Sequence, residues 1–241
     1  MTENKETKID YGIILSVMLL AIISIATIFS TTYLTGNSGI SATLMQIIWY
    51  VVGTVAIIVI TQFDSEQLWK LAPIAYGVGL FLLVLVLFFY DRSLELSTGA
   101  KSWFKLGRLT FQPSEIMKVA FILMLARVVT KHNGDYSTHY PKADFLLLGK
   151  IILTSVPPLV LVMMQNDLGS TLVFIAIIIG LILISGITWK IILPIFSGVA
   201  VLGTSLLVLV VYNRDFLLRL GFKPYQFSRI DSWLNPYGDS G

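Results

Sequence analysis

Residues 168–187 read LGSTLVFIAIIIGLILISGI, a stretch of twenty residues without a charged side chain. A transmembrane helix needs about 20 mostly apolar residues, because each residue adds roughly 1.5 Å across a hydrocarbon core about 30 Å thick. Its backbone groups must hydrogen-bond within the segment, since lipid offers them no partner. The stretch therefore predicts a membrane-spanning helix.

Six further stretches of similar length are also mostly apolar. They span residues 11–33, 44–63, 71–90, 112–130, 145–165 and 190–212. Of the 241 residues, 56% are hydrophobic and only 13% are charged, whereas a soluble domain carries about a quarter charged residues. Continuous apolar runs also differ from β-barrel strands, which alternate in polarity over about 10 residues. The sequence predicts an all-α polytopic membrane helix bundle with seven transmembrane helices, forming a single membrane domain over residues 1–241.

Several classes of site have no signature in this sequence. The chain has no cysteine, which excludes disulfides and thiolate metal sites. A net charge of +3 without a long basic run does not favour a nucleic-acid partner. Nucleotide-binding and metalloprotease motifs do not occur. His132 and His139 lack metal-ligand spacing, so we predict that both are solvated loop residues and that the chain holds no metal.

Basic residues are abundant in two segments outside the predicted spans, residues 91–111 and 213–241. Excess Lys and Arg normally mark the cytoplasmic side of a membrane protein, but here both sides carry similar numbers, so charge does not fix the orientation. One explanation is that long loops escape the rule. The other is that the two segments meet an anionic ligand such as a phosphate.

Residues 112–118 read QPSEIMK and enter the fourth predicted span. Glu115 and Lys118 are three residues apart, so they share a helix face and can form an ion pair. An ionisable group in a membrane helix costs about 2.5–3.5 kcal/mol at the bilayer centre and less near the interface. Glu115 has a structural interpretation, because an acid in the first turn interacts favourably with the helix dipole. The depth of Lys118 favours a functional polar site.

The preceding loop, residues 97–108, reads STGAKSWFKLGR and interleaves cations with aromatic residues. Such a segment can lie at the membrane interface, with Trp103 inserted and the cations Lys101 and Lys105 at headgroup level. Anchoring to anionic lipid is one interpretation. Recognition of a lipid-linked diphosphate is the other.

Three local features complete the pattern. Asp167 directly precedes residue 168 and is placed to cap the sixth predicted span. Lys150 lies inside the fifth span and is predicted to snorkel back to the cytoplasmic interface. Residues 225–236 have apolar side chains at helical spacing, which predicts a short interfacial helix.

Four stretches together resemble the SEDS family of shape, elongation, division and sporulation proteins. They are residues 99–103 with 112–118, residues 165–169, residues 185–190 and residues 225–236, in the family's order and spacing. Residues 116–118 and 233–236 are more similar to RodA of Gram-positive bacteria, the elongation member, than to the division member FtsW.

This resemblance implies a ten-span glycosyltransferase that shapes the cell during cell wall biogenesis. Such an enzyme polymerises lipid II, an undecaprenyl-diphosphate-linked substrate, at the outer face of the plasma membrane, together with a class B penicillin-binding protein. The N-terminus would be cytoplasmic and the protein multi-pass; no cofactor is evident, and a divalent cation stays open. The family's catalytic aspartate and three further spans are expected after Gly241, so the chain contains no predicted catalytic residue and is expected to be inactive alone.

The resemblance also implies roles for named residues. Glu115 and Lys118 fall on the family's functional polar pair. The expected substrate contacts are basic or aromatic loop residues, namely Lys101, Trp103, Lys105 and Arg229. Two positions depart from the family pattern, because Ser102 stands where many members have arginine and Asn166 where many have proline.

Two other functions stay open. A lipid-linked precursor transporter would need a polar path across the bilayer. A non-catalytic scaffold would only dock a penicillin-binding protein and membrane lipids.

Overall fold

The computed structural model describes residues 11–34, 39–107, 109–136 and 141–213, together with Leu218. Within these ranges the chain forms eight helices and one short hairpin. The elements are α1 (Tyr11–Leu34), α2 (Gly39–Thr61), α3 (Ser65–Phe89), α4 (Arg92–Thr98), β1 (Phe104–Leu106), β2 (Leu109–Phe111), α5 (Pro113–Asp135), α6 (Pro141–Met164), α7 (Leu168–Ile184) and α8 (Trp189–Tyr212).

Each of the seven predicted spans contains a long helix, which confirms the all-α membrane fold. Four helical segments are long and apolar enough to cross a membrane by length and composition: Tyr11–Tyr33, Ala42–Thr61, Ser65–Phe89 and Pro141–Met164. Two more apolar helices, Leu168–Ile184 and Trp189–Ser205, are shorter. The remaining long helix, α5, is less apolar because it carries several charged residues.

The loop before α5 has more structure than the sequence indicated. It contains the short helix α4 and the antiparallel hairpin β1–β2, in which Phe104 lies opposite Phe111 and Lys105 opposite Thr110. The Phe104 and Phe111 rings stack with centroids 6.4 Å apart. A seven-residue helix and three-residue strands leave too short a period to read from sequence.

The chain divides into two compact units, residues 1–68 and residues 69–241. We describe each unit by itself, and the single membrane domain over residues 1–241 stays a prediction. In the first unit α1 and α2 pack against each other, and Gln46 donates a hydrogen bond to the Ser24 hydroxyl (3.4 Å). The spans in this unit are apolar and unburied, which is typical of membrane helices that are hydrophobic all round.

The second unit is a bundle whose helices alternate in direction. The Tyr76 hydroxyl of α3 donates to the Thr154 carbonyl of α6 (2.6 Å), and further along both helices Gln165 donates to the Leu83 carbonyl (3.2 Å). These two bonds show that α3 and α6 run in the same direction. Contacts at both ends of α5 show that it runs parallel to α7 and antiparallel to α3 and α6, as consecutive spans require.

The core of this unit lies along α5. Met117, Phe121 and Leu125 are fully buried at a spacing of four residues, and the Phe121 and Phe174 rings lie 5.3 Å apart. At Gly79 a β-carbon would overlap the Met117 sulfur, so a larger residue there would require the Met117 side chain to move. Small residues at such crossings are typical of membrane bundles, which rely on close packing rather than on hydrophobic burial.

Candidate functional site

The starts of α5 and α7 are joined by a polar network of Gln112, Ser114, Asp167 and Ser170. Asp167 caps α7 as predicted, since its carboxylate accepts from the Ser170 amide (2.9 Å) and the Ser170 hydroxyl (2.8 Å). The Gln112 side chain donates to the same carboxylate (2.7 Å), and the Ser114 and Ser170 hydroxyls are 3.3 Å apart. We call these four residues the α5–α7 network. It fixes the position of the first turn of α5.

The predicted polar pair sits in that first turn and the next. Lys118 donates to the Glu115 carboxylate at 2.6 Å, and the side chains of Lys118 and Glu115 are 17% and 60% exposed. An ion pair with one exposed partner contributes about 0.2–1 kcal/mol to stability. The favourable position of Glu115 near the N-terminus of α5 is also present, as the structural interpretation expected. The pair is present, but it contributes little to the stability of the fold.

The face of α5 around Glu115 is not covered by the described residues. Ile116 is 46% exposed, Val119 56% and Ile122 43%. Met117, the residue after Ile116, instead faces the core and is fully buried. The Glu115 carboxylate therefore lies on the open side of α5, and the Lys118 ammonium is mostly covered and turned toward that carboxylate.

The α4–β1 segment brings the three predicted loop residues to the same end of the unit. Lys101 lies 3.7 Å from the Glu95 carboxylate and 5.1 Å from the centre of the Tyr90 ring. Trp103 is half-buried, and its carbonyl accepts from the Asp91 amide (3.0 Å). Between the described residues, no hydrogen bond or ion pair joins Lys101, Trp103 or the exposed Lys105 to Glu115 and Lys118. The chain does link them closely, because β2 ends one residue before Gln112.

Asp91 organises this segment by capping α4. Its carboxylate accepts from the Ser93 hydroxyl and from the Leu94 amide (2.9 Å). These two hydrogen bonds, aided by the charge of Lys105, lower the pKa of Asp91 below its ordinary value of 3.8. The acid is thus ionised at neutral pH and holds α4 in place.

Two buried polar atoms mark the junction between this segment and the end of α6. The Ser102 hydroxyl and the Gln165 side-chain oxygen are fully buried and have no hydrogen-bond partner among the described residues. The neighbouring Lys101 amide donates to the Gln165 carbonyl (2.8 Å). A buried polar atom left unpaired costs about 1–3 kcal/mol. Sequence reasoning missed Gln165, and nothing in an isolated glutamine would have indicated its burial.

Asn166, like Ser102, departs from the family pattern. Its backbone conformation explains why asparagine is suited to this position. Its φ is 57°, the left-handed region that asparagine tolerates better than most residues. A proline ring fixes φ near −65°. This turn between α6 and α7 therefore has a conformation that proline cannot adopt.

At the opposite end of α5 the prediction for His132 is wrong. We predicted a solvated residue, but His132 is only 3% exposed. The Lys150 ammonium lies 3.2 Å from its Nδ1 atom, because the lysine side chain points back along α6 toward the end of α5. Burial of a histidine by a helix 18 residues away cannot be read from local spacing. His139 lies outside the described residues.

Asp144 is a further buried group that sequence reasoning did not single out. It is 2% exposed, and its carboxylate accepts from the Thr188 amide (3.0 Å) and the Thr188 hydroxyl. Asp144 of α6 thereby caps α8 from another helix. Close by in the chain, Asn133 donates to the Ser185 carbonyl (2.9 Å).

The remaining predictions fall outside what the structure describes. Arg229 and the predicted helix over residues 225–236 lie outside the described residues. Among the residues that are described, no group of three or more His, Cys, Asp or Glu side chains comes together.

The comparisons with known proteins agree with this arrangement. The family model described as "Cell cycle protein" (FtsW, RodA and SpoVE) matches residues 9–241. A relative named "Probable peptidoglycan glycosyltransferase FtsW" from Allochromatium vinosum is 32% identical over 169 residues, 68% of this chain and 37% of that protein. "Peptidoglycan glycosyltransferase RodA" from Treponema pallidum is 30% identical over 212 residues, 86% of this chain and 46% of that protein.

A solved structure extends the likeness to three dimensions. It is described as "Structural coordination of polymerization and crosslinking by a peptidoglycan synthase complex", and one of its chains matches with a TM-score of 0.61 and 25% identity. The match covers 97% of this chain and 61% of that chain. This chain thus spans less than half the length of the two relatives above. The family match nevertheless covers almost all of its residues, and the chain belongs to the FtsW, RodA and SpoVE family of cell cycle proteins.

Proposed function

We propose that this protein is a peptidoglycan glycosyltransferase of the RodA type that polymerises lipid II at the outer face of the plasma membrane, and that Glu115 and Lys118 belong to its substrate site. The observation that carries the proposal is the ion pair itself. It joins a mostly covered ammonium to an exposed carboxylate at 2.6 Å on an open face of α5, in a chain of this family.

The chemistry gives the pair a definite task. A sugar 4-hydroxyl attacks C1 of the growing strand, a new glycosidic bond forms, and the bond from C1 to undecaprenyl diphosphate breaks. The hydroxyl proton passes to a base and the diphosphate leaves with the bonding electrons. No described residue is assigned as that base. Lys118 has two N–H donors beyond the one held by Glu115, and such a fixed cation can stabilise the charge of a diphosphate.

The α4–β1 segment supports the same function. Lys101 and Lys105 place two cations in the segment that leads into α5, and Trp103 adds an aromatic ring that is suited to a membrane interface. Lys101 is already paired with Glu95, so it would have to exchange that partner for a phosphate. The more exposed Lys105 is the better phosphate contact of the two.

The internal packing favours polymerisation over transport. Between the Glu115–Lys118 pair and the Lys150–His132 contact, α5 presents the buried side chains of Phe121 and Leu125 to its neighbours. The buried face of α5 is thus apolar along its middle, whereas a transporter needs polar groups near the bilayer midplane.

The test uses a purified protein that extends this chain through the family's expected catalytic aspartate, with its partner and with purified lipid II as substrate. We expect Glu115→Ala and Lys118→Ala each to lower strand synthesis by at least about 100-fold, the usual effect of losing a positioned charge in a transition state. Lys190→Ala, an exposed lysine in the first turn of α8, is the matched control and should retain full synthesis. Undiminished synthesis in both variants of the pair would remove them from the site.

The partner is part of the proposal. The solved structure similar to this chain is described as a peptidoglycan synthase complex that coordinates polymerisation and crosslinking. We propose a class B penicillin-binding protein as the crosslinking partner of this protein as well. Co-purification with such a protein, together with a rise in strand synthesis, is the expected result. A non-catalytic scaffold would co-purify without any synthesis.

The proposed orientation places the N-terminus in the cytoplasm and the α4–β1 segment outside. The chain contains no cysteine, so single cysteines can report it. Ser97 and Asp135 are both exposed, near the two opposite ends of α5. An impermeant maleimide should label Ser97→Cys in intact cells and Asp135→Cys only after the membrane is opened. The reverse pattern would contradict the proposed site, because lipid II polymerisation occurs outside.

A further inference from the structure

The end of α5 opposite the Glu115–Lys118 pair contains a second cationic site. Lys150 lies in α6, and its ammonium is 3.2 Å from His132 Nδ1 and 6.0 Å from the centre of the Tyr136 ring. The His132 and Tyr136 rings are 4.6 Å apart. We call these three residues the Lys150 cluster. Nothing in the polymerisation chemistry uses it.

The hydrogen-bonding roles within the cluster follow from the lysine. A protonated lysine can only donate, so His132 Nδ1 must accept and the ring proton must lie on Nε2. The imidazole is therefore neutral when this contact is made. The cluster thus carries one positive charge, on Lys150.

That charge has no acidic partner in the described part of the chain. Neither of the ion pairs Lys101–Glu95 and Lys118–Glu115 involves it. The nearest acids in the sequence are Asp144, which is buried and bonded to Thr188, and the exposed Asp135 at the end of α5. Lys150 itself is half-buried. A partly covered ammonium with donors to spare is unusual in a membrane helix, where such charges are costly.

The depth of the cluster identifies the kind of ligand. Lys150 is the tenth residue of α6, so its Cα lies about 13 Å from the start of the helix, and its side chain points back toward that start. His132 lies three residues before the end of α5. The ammonium therefore lies within about one helical turn of the bundle's end, at the level of lipid headgroups rather than of the hydrocarbon core.

We propose that the Lys150 cluster binds the phosphate of an anionic phospholipid in the leaflet at this end of the bundle. Basic pockets between membrane helices are a recognised mode of headgroup binding. Lys150 supplies the charge, and the rings of His132 and Tyr136 hold the lysine in place. The exposed Lys131, near the end of α5, adds to the positive potential that attracts the headgroup.

The test measures lipid binding to the protein in detergent by native mass spectrometry, with phosphatidylglycerol and phosphatidylcholine offered at equal concentration. The wild type should retain phosphatidylglycerol in preference to phosphatidylcholine. Lys150→Met keeps an apolar stem and removes the charge, and it should weaken phosphatidylglycerol binding about fivefold. Lys142→Met removes an exposed lysine of the same helix and should change binding by less than about twofold.

Two further measurements test the role of the charge and the source of the phosphate. Lys150→Arg keeps the charge and should restore the preference for phosphatidylglycerol, which also guards against a folding defect in Lys150→Met. Inorganic phosphate at the same concentration should not displace the lipid, because the acyl chains hold it in the membrane. An equal preference in Lys150→Met and Lys142→Met would overturn the proposal.

Discussion

The two ends of α5 use charge in different ways. At its start, the Glu115–Lys118 ion pair forms within one helix and has an exposed carboxylate, while the α5–α7 network holds the helices together through Gln112 and Asp167. Near its other end, buried Asp144 joins α6 to the start of α8. An ion pair that stabilises little is available for a substrate, whereas a buried carboxylate with two donors stabilises the fold. The exposure of the charge thus distinguishes the proposed substrate pair from a carboxylate that stabilises the fold.

Removal of the buried carboxylate should have the largest effect on stability. Asp144→Ala leaves the Thr188 amide and hydroxyl without their acceptor, and we expect the free energy of unfolding to fall by about 2–3 kcal/mol. The measurement is reversible unfolding in mixed micelles. Asp135→Ala, an exposed acid near the same end, should change the free energy by less than about 0.5 kcal/mol. Equal effects of the two substitutions would mean that Asp144 does not cap α8.

A second experiment asks whether the α5–α7 network couples two helices or only caps one. Asp167→Ala should cost about 1–2 kcal/mol, because α7 loses its cap, and Gln112→Ala about 1 kcal/mol. The double variant should cost less than the sum, with a coupling energy of about 1 kcal/mol, because both single changes remove the same 2.7 Å hydrogen bond. Additive effects would show that Gln112 and Asp167 act separately.

The sequence predicted the parts of this molecule that have a local signal. The apolar runs located all seven long helices, since a membrane helix has to satisfy its own backbone within one continuous segment. The Glu115–Lys118 pair and the Asp167 cap followed from spacings of three residues along a single helix. Such features depend on neighbours in the chain, so one sequence was sufficient to find them.

The features that the sequence did not reveal are contacts across long separations. Gln112 meets Asp167 across 55 residues, and Asn133 meets Ser185 across 52. The burial of His132 depends on how α5 packs against α6, and no periodic pattern indicates it. Hydrophobicity also predicts burial less well in a membrane protein than in a soluble one, because both the lipid-facing and the buried sides of a span are apolar. The predicted substrate residue Arg229 stays a prediction.

A third experiment tests whether the exposed Glu115–Lys118 pair contributes to stability. Glu115→Gln and Lys118→Met should each change the free energy of unfolding by less than about 0.5 kcal/mol, the range of exposed helical ion pairs. Strand synthesis should nevertheless be lost, as proposed above. The decisive result is a variant with normal stability and no synthesis. A loss of 2 kcal/mol or more, about the cost expected at Asp144, would make the pair a structural feature.

The smallest expected effect concerns Asp91, a half-buried cap of α4 whose protonation can be followed by pH. Its pKa is lowered by hydrogen bonds from the Ser93 hydroxyl and the Leu94 amide. A depressed folded-state pKa stabilises the folded form above the unfolded value of 3.8, and this contribution is lost as the pH falls through the folded pKa. Hydrogen exchange of the Leu94 amide should therefore stay protected from neutral pH down to that region and lose protection below it.

The control for this pH effect is Asp91→Asn, whose side chain is neutral and does not titrate in this pH range. Its Leu94 amide should show the same protection at every pH, while the Ile191 amide, bonded to Thr188 at the other end of the bundle (2.8 Å), should not respond in either protein. A step in Leu94 protection that survives in Asp91→Asn would mean that another group holds α4. Because Asp91 caps only the seven-residue helix α4, the effect is expected to stay within α4, unlike the loss expected throughout the bundle when buried Asp144 is removed.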